Sequence, residues 1–140
     1  MTEPKTREAA CQCGRLKIRL KGDPQLVSSC HCLACQRRTG SLFGVQAFFR
    51  LDQVASVDGE RRSFTRTADS GTPVVSSFCP SCGSTLYWER PNLPGMVTVA
   101  VGSFADPQFP APVRTVWTET KHGWLAFPPG MPHHPKAPPA

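Results

Sequence analysis

"SCHCLACQRRTG", residues 29–40, sets three cysteines within six positions, at Cys30, Cys32 and Cys35, with a histidine between the first two and two arginines after the last. Two further cysteine groups flank it in the chain: "CQCG" at 11–14, with Cys11 and Cys13, and "FCPSCGSTL" at 78–86, with Cys79 and Cys82. The seven cysteines are odd in number, so a disulfide framework would leave one thiol over, and nothing else in the chain points to an oxidising compartment. Metal binding explains the spacing better. In an extended segment Cys11 and Cys13 point to one side and can offer two sulfurs to one ion. "FCPSCGS" reads as a tight turn, with Pro80 helping to set it and Gly83 free to take positive φ, which makes a zinc-knuckle half-site.

Two pairs make a closed four-cysteine site that joins the N-terminal segment to a turn about 65 residues later. The trio is then left by itself. The other partition, one pair with two members of the trio, strands three cysteines that are not neighbours. Structural zinc sites are closed by four protein ligands, whereas catalytic ones commonly keep three and an open position. The trio therefore reads as a working site, and the competing reading is a closed one completed by a histidine. Of the four candidates, His31 should point away from the side its neighbours share, His122 is available, and His133 and His134 sit in a proline-rich tail with little to hold them.

Outward from the cysteines the chain alternates short β-branched or aromatic runs with Gly, Pro, Asn and Asp. "LKIRL" (16–20), "GVQAFFRL" (44–51), "RRSFTRT" (61–67), "PVVSSF" (73–78), "TLYWE" (85–89), "MVTVAVG" (96–102) and "VRTVWTE" (113–119) are all predicted strands. The single predicted helix is a turn or two within "LACQRRTG", ending near Gly40, with its N-terminal amides facing the thiolates. "FADPQFPAPV" (104–113) reads as an ordered loop between strands. From Pro128 onward six prolines in thirteen residues exclude a packed element. The expected organisation is one zinc-stapled, mainly β domain over 1–127 and a proline-rich C-terminal tail over 128–140.

At 140 residues, 39% hydrophobic and 19% charged, the chain is composed like a soluble globular domain, with no run long enough to span a membrane and no secretion signal in its opening residues. A cytoplasmic location is expected. The formal charge of +6 falls to +3 once four thiolates hold one divalent ion and three hold another. The cations are also scattered among apolar residues, so the charge gives no case for a nucleic-acid partner.

C-x-C-G at Cys11 to Gly14, C-H-C-x-x-C-x-R-x-T-G at Cys30 to Gly40, and F-C-x-x-C-G-S-x-L at Phe78 to Leu86, together with "VTVAVGSFADPQF" (97–109) and "WTETKHGWLAFP" (117–128), resemble the glutathione-dependent formaldehyde-activating enzyme (GFA) family. The resemblance implies an Mss4-like fold of several coiled antiparallel β-sheets with one short helix. It implies a structural zinc on Cys11, Cys13, Cys79 and Cys82 and a catalytic zinc on Cys30, Cys32 and Cys35. The implied activity is that of a carbon-sulfur lyase, in which glutathione adds to formaldehyde to give S-hydroxymethylglutathione. Arg37 and Arg38 are then candidates to receive the carboxylates of glutathione, with Thr39 and Gly40 lining the pocket. Members often carry a histidine where this chain reads "RTVW" (114–117). Trp88, Trp117 and Trp124 are candidate pocket walls, although aromatic residues on strands are usually core. Two other classes remain open at this point: a carrier of glutathione or a thiol adduct, and a zinc-stapled interaction module.

Overall fold

A computed structural model describes residues 5–138; residues 1–4 and 139–140, which belong to the expected domain and tail, lie outside the described ones. Ten strands and one α-helix follow in the order β1 (Thr6–Ala10), β2 (Lys17–Lys21), β3 (Leu26–Cys30), α1 (Leu33–Thr39), β4 (Gly44–Arg50), β5 (Val54–Asp58), β6 (Arg62–Thr67), β7 (Pro73–Phe78), β8 (Thr85–Glu89), β9 (Met96–Ala100) and β10 (Arg114–Val116). They form a three-stranded sheet, β1-β2-β5, and a seven-stranded sheet, β10-β3-β4-β9-β8-β7-β6. The mainly β class with a single helix is as the sequence predicts. All pairings are antiparallel except one: β10 runs parallel to β3, with Arg114 opposite Ser28 and Val116 opposite Cys30. The long connection 101–113 brings the chain back to the β3 edge in β3's own direction, a crossover that two antiparallel neighbours would not need.

Period-2 alternation explains the two-layer core. On β2, Ile18 and Leu20 point in while Arg19 points out and takes Glu8 of β1 at 2.8 Å. They meet Val27, Ala47, Phe49, Leu86, Val97 and Val99 from the large sheet, and most of these side chains are almost completely buried. β4 is buried on both faces. Ala47 and Phe49 enter the core, so Gln46 and Phe48 must face the opposite side. The register places them in rows with Ser28 and Arg114, and with Thr98, Trp88 and Ser76. This second face carries the buried Ser28, Gln46, Thr98 and Ser76 and, next to Val116, the sulfur of Cys30.

α1 sits over that face. It packs on β4 at Gly44, where a Cβ would lie 2.7 Å from Nη2 of Arg38 and 3.5 Å from the Cβ of Cys35, so a larger residue there would displace the Arg38 guanidinium. Cys32 is its N-cap, accepting from the backbone N–H of Cys35 at 3.3 Å, and Gly40 ends it in the left-handed region at φ 65°. The C-terminal segment departs from expectation. Residues 132–136 hydrogen-bond alongside β10 and the turn after it: Thr115 donates to Pro132, Trp117 to Lys136, Thr118 to His134 and Glu119 to Pro135, while His134 donates back to Thr115. Proline lacks a donor but keeps its carbonyl, so this segment serves the β10 edge as a row of acceptors. Among the described residues no helix is long and apolar enough to cross a membrane.

Candidate metal centres and the cavity beside them

The four sulfurs of Cys11, Cys13, Cys79 and Cys82 lie within 4.8 Å of one another. Cys11 Sγ is 3.6 Å from Cys13 Sγ, which is 3.7 Å from Cys79 Sγ. Four thiolates about 2.3 Å from a central tetrahedral ion stand roughly 3.8 Å apart, so the donor set fits zinc. Both halves are turns. Gly83, at φ 79°, closes the second through its N–H to Cys79 O at 2.8 Å, as its sequence predicts. The first, expected to be extended, is instead a turn closed by Gly14 N–H to Cys11 O at 3.0 Å. Curling the segment lets Cys11 Sγ accept the backbone N–H of Leu16 at 3.2 Å while Cys13 stays at the surface.

Cys30, Cys32 and Cys35 form the second group, again with sulfurs within 4.8 Å of one another, and no fourth Cys, His, Asp or Glu ligand joins them among the described residues. Three of the four histidine side chains are engaged elsewhere, and that of His134 does not join the group either. His31 is buried on the far side, stacked on Phe43 at 5.0 Å and edge-on to Phe127 at 5.3 Å, so it points away from the sulfurs but is no surface residue. His122 Nε2 pairs with Gln36 Oε1 at 3.1 Å, and His133 Nδ1 lies 3.4 Å from Met131 O. Three buried thiols sharing one small space cannot all ionise without a cation. Hydrogen bonds from Cys30, then from Cys35, draw the Cys32 thiol down to about 2, while the same contacts push the Cys30 thiol up. A divalent ion removes that conflict.

The loop that carries the trio is fixed from the other end of the chain. His31 N–H donates to Val116 O at 3.0 Å. Its carbonyl accepts from Thr120 Oγ1 at 2.8 Å and from Gln36 Nε2 at 3.0 Å. Trp117, between Val116 and this anchor, adopts φ 57°, a left-handed conformation rare for a bulky residue. Gln36, Thr120 and His122 have no sequence signal beyond their place in "ACQRR" and "WTETKHGW", and the sequence reading gave them no role as supports of the loop.

The trio opens into a cavity of about 380 Å³, the size range of a small-molecule site. Its floor is the second face of the large sheet, through Ser28, Gln46, Phe48 and Val116, and Trp117 forms part of its wall. Ala137 and Pro138 line one side, so the proline-rich tail, expected to form no packed element, contributes to the wall. Arg37, Arg38, Thr39 and Gly40 do not line this cavity. Arg37 is exposed, and Arg38 turns back over the Trp88 ring at 4.4 Å, which buries Trp88 in the packing beneath α1. Thr39 donates to Cys35 O at 2.9 Å and, with Gly40, caps the helix. The helix axis carries these residues away from its N-terminal sulfurs. Trp124 is exposed and does not line the cavity.

The family model of the glutathione-dependent formaldehyde-activating enzyme matches residues 6–120. The chain belongs to this family. All seven cysteines and the anchor at Thr120 fall inside the matched segment. No curated protein matches it closely enough to count as a relative. A crystal structure of a Rhodobacter sphaeroides protein is similar at 23% identity and a TM-score of 0.49, covering 69% of this chain and 85% of that one. Membership of the GFA family accounts for the three cysteine motifs at once, and the geometry adds which residues surround the trio in this chain.

Proposed function

We propose that the protein is a zinc-dependent carbon-sulfur lyase-type enzyme that condenses glutathione with formaldehyde to give S-hydroxymethylglutathione. The observation that carries this reading is the trio itself: three buried sulfurs, no fourth protein ligand among the described residues, and a cavity of substrate size opening onto them. Cys30, Cys32 and Cys35 would hold the working zinc, and Cys11, Cys13, Cys79 and Cys82 the structural one. A zinc with three thiolates supplies an open position for a fourth thiol and lowers that thiol's pKa. The chain's own residues do the rest. Trp117, Ala137 and Pro138 wall the cavity beside the sulfurs, and Ser28 and Gln46 offer polar groups along its floor. In the addition, the glutathione sulfur bonds to the formaldehyde carbon, the carbonyl π bond opens, and the thiol proton ends on the carbonyl oxygen. No oxidant is required.

The seven free thiols suit a reducing compartment, in keeping with a cytoplasmic site of action. The test measures zinc per chain and formaldehyde-dependent loss of glutathione thiol, above the uncatalysed rate, for the native protein and for Cys32→Ser. Two zincs and catalysis in the first, with one zinc and no catalysis in a folded second, support the proposal. One zinc in both, or a rate no faster than without protein, defeats it; thiol binding without acceleration would instead indicate a carrier.

A further inference from the structure

Three arginines from three separate elements converge on the cavity of the trio: Arg66 from β6, Arg90 just after β8, and Arg114 from β10. Every ion pair among the described residues lies elsewhere, on Arg7, Lys17, Arg19 and Arg50, so none of the three guanidiniums has a carboxylate of its own. Arg90 Nε is buried with no hydrogen-bond partner, and the one contact of Arg114 Nε is a long 3.5 Å bond to Ser28 Oγ. A single acid, Asp69, lines the same space. Buried or half-buried guanidiniums normally find an anion, because their desolvation is costly and their fork matches a carboxylate in two bonds. Here the space they face is concave and small, which suits a low-mass anion rather than a macromolecule.

Resting on the reading of the trio as a thiol site, we propose that Arg66, Arg90 and Arg114, with Asp69 among them, select the thiol by its charged ends. The ligand class is a small thiol bearing an α-amino-acid head and a second carboxylate. Asp69 takes the ammonium of the head, and the guanidiniums take the two carboxylates while the sulfur points to the trio. This assigns recognition to residues outside the cysteine motifs and away from Arg37, Arg38, Thr39 and Gly40.

The test titrates the zinc-loaded protein calorimetrically with glutathione, with glutathione esterified at both carboxylates, and with 2-mercaptoethanol. Charge-assisted hydrogen bonds of this kind predict affinity for the diester to fall roughly tenfold or more. Arg66→Gln and Arg90→Gln should each lower affinity for glutathione by a similar factor while leaving the diester and 2-mercaptoethanol unchanged. Arg37→Gln, outside the cavity, should change none of the three. Arg114 packs beside buried Ser28 and is left intact; the ester comparison on the unaltered protein tests its contribution without risk to folding. Equal affinity for glutathione and its diester, or variants that weaken all three ligands alike, overturns the inference while the thiol site stands. If none of the three thiols binds, the reading of the trio fails and the inference fails with it.

Discussion

Removing the two less buried ligands of the four-sulfur site, by Cys13→Ser with Cys82→Ser, separates the contribution of that metal from core packing, because Cys13 is exposed and Cys82 only half-buried. Cys13 and Cys79 stand 66 residues apart, so an unfolded chain must close that loop before it offers the same four sulfurs. The chain-entropy estimate for such a loop is about 4 kcal/mol, which makes the unfolded chain a weaker ligand by roughly a thousandfold. At saturating zinc that difference is stability of the folded state. For 140 residues the unfolding entropy is about 0.3 kcal/mol/K, so the double variant should melt roughly 14 °C lower. The trio behaves differently. Its ligands lie within six residues, already gathered by one turn, so the unfolded chain loses little by offering them. Cys32→Ser also keeps an oxygen able to cap α1, and its melting temperature should fall by only a few degrees. Scanning calorimetry of the zinc-loaded proteins, with metal content measured on the same samples, makes the comparison. A Cys32→Ser protein that loses as much stability as the double variant, or a double variant that melts with the native protein, refutes the assignment of structural and working sites.

The left-handed backbone at Trp117 costs an L-residue about 1–2 kcal/mol, so Trp117→Gly should be more stable than Trp117→Ala by about 1 kcal/mol in urea unfolding; the reverse order would mean the conformation is unstrained. At Gly59 a Cβ would meet Arg15 O, so Gly59→Ala should destabilise by about 2 kcal/mol or more, whereas Gly71→Ala, which meets no atom within 4 Å, should cost only its backbone strain. Similar urea midpoints for the two variants would refute this. Deleting residues 132–140 removes the acceptors of Thr115, Trp117, Thr118 and Glu119, whose amide hydrogens should then exchange at least tenfold faster while the zinc content holds at its native value. Unchanged exchange at those four amides would show that the segment does not pair with β10.

Local patterns in the sequence were enough to identify the strands whose side chains alternate or are strongly β-branched, such as "PVVSSF" and "TLYWE", and the helix between two capping residues. The same patterns missed "TREAA", "LVSSC" and "VASVD", which become β1, β3 and β5. Their serines, alanines and charges carry little intrinsic preference for strand. They are extended because neighbours offer a ladder and, for β3, because Ser28 and Ser29 are buried between two partners. The partition of seven cysteines into four and three followed from spacing alone, since each group is local and its ligands must reach one ion. What surrounds the trio did not follow. Arg66, Arg90, Arg114, Trp117 and Pro138 are scattered over some seventy residues of chain and meet only because β10 returns beside β3 and residues 132–136 run along β10. A ligand set compressed into a few residues is written into the sequence, whereas a cavity assembled across sheet neighbours is decided by strand order, which no local pattern encodes.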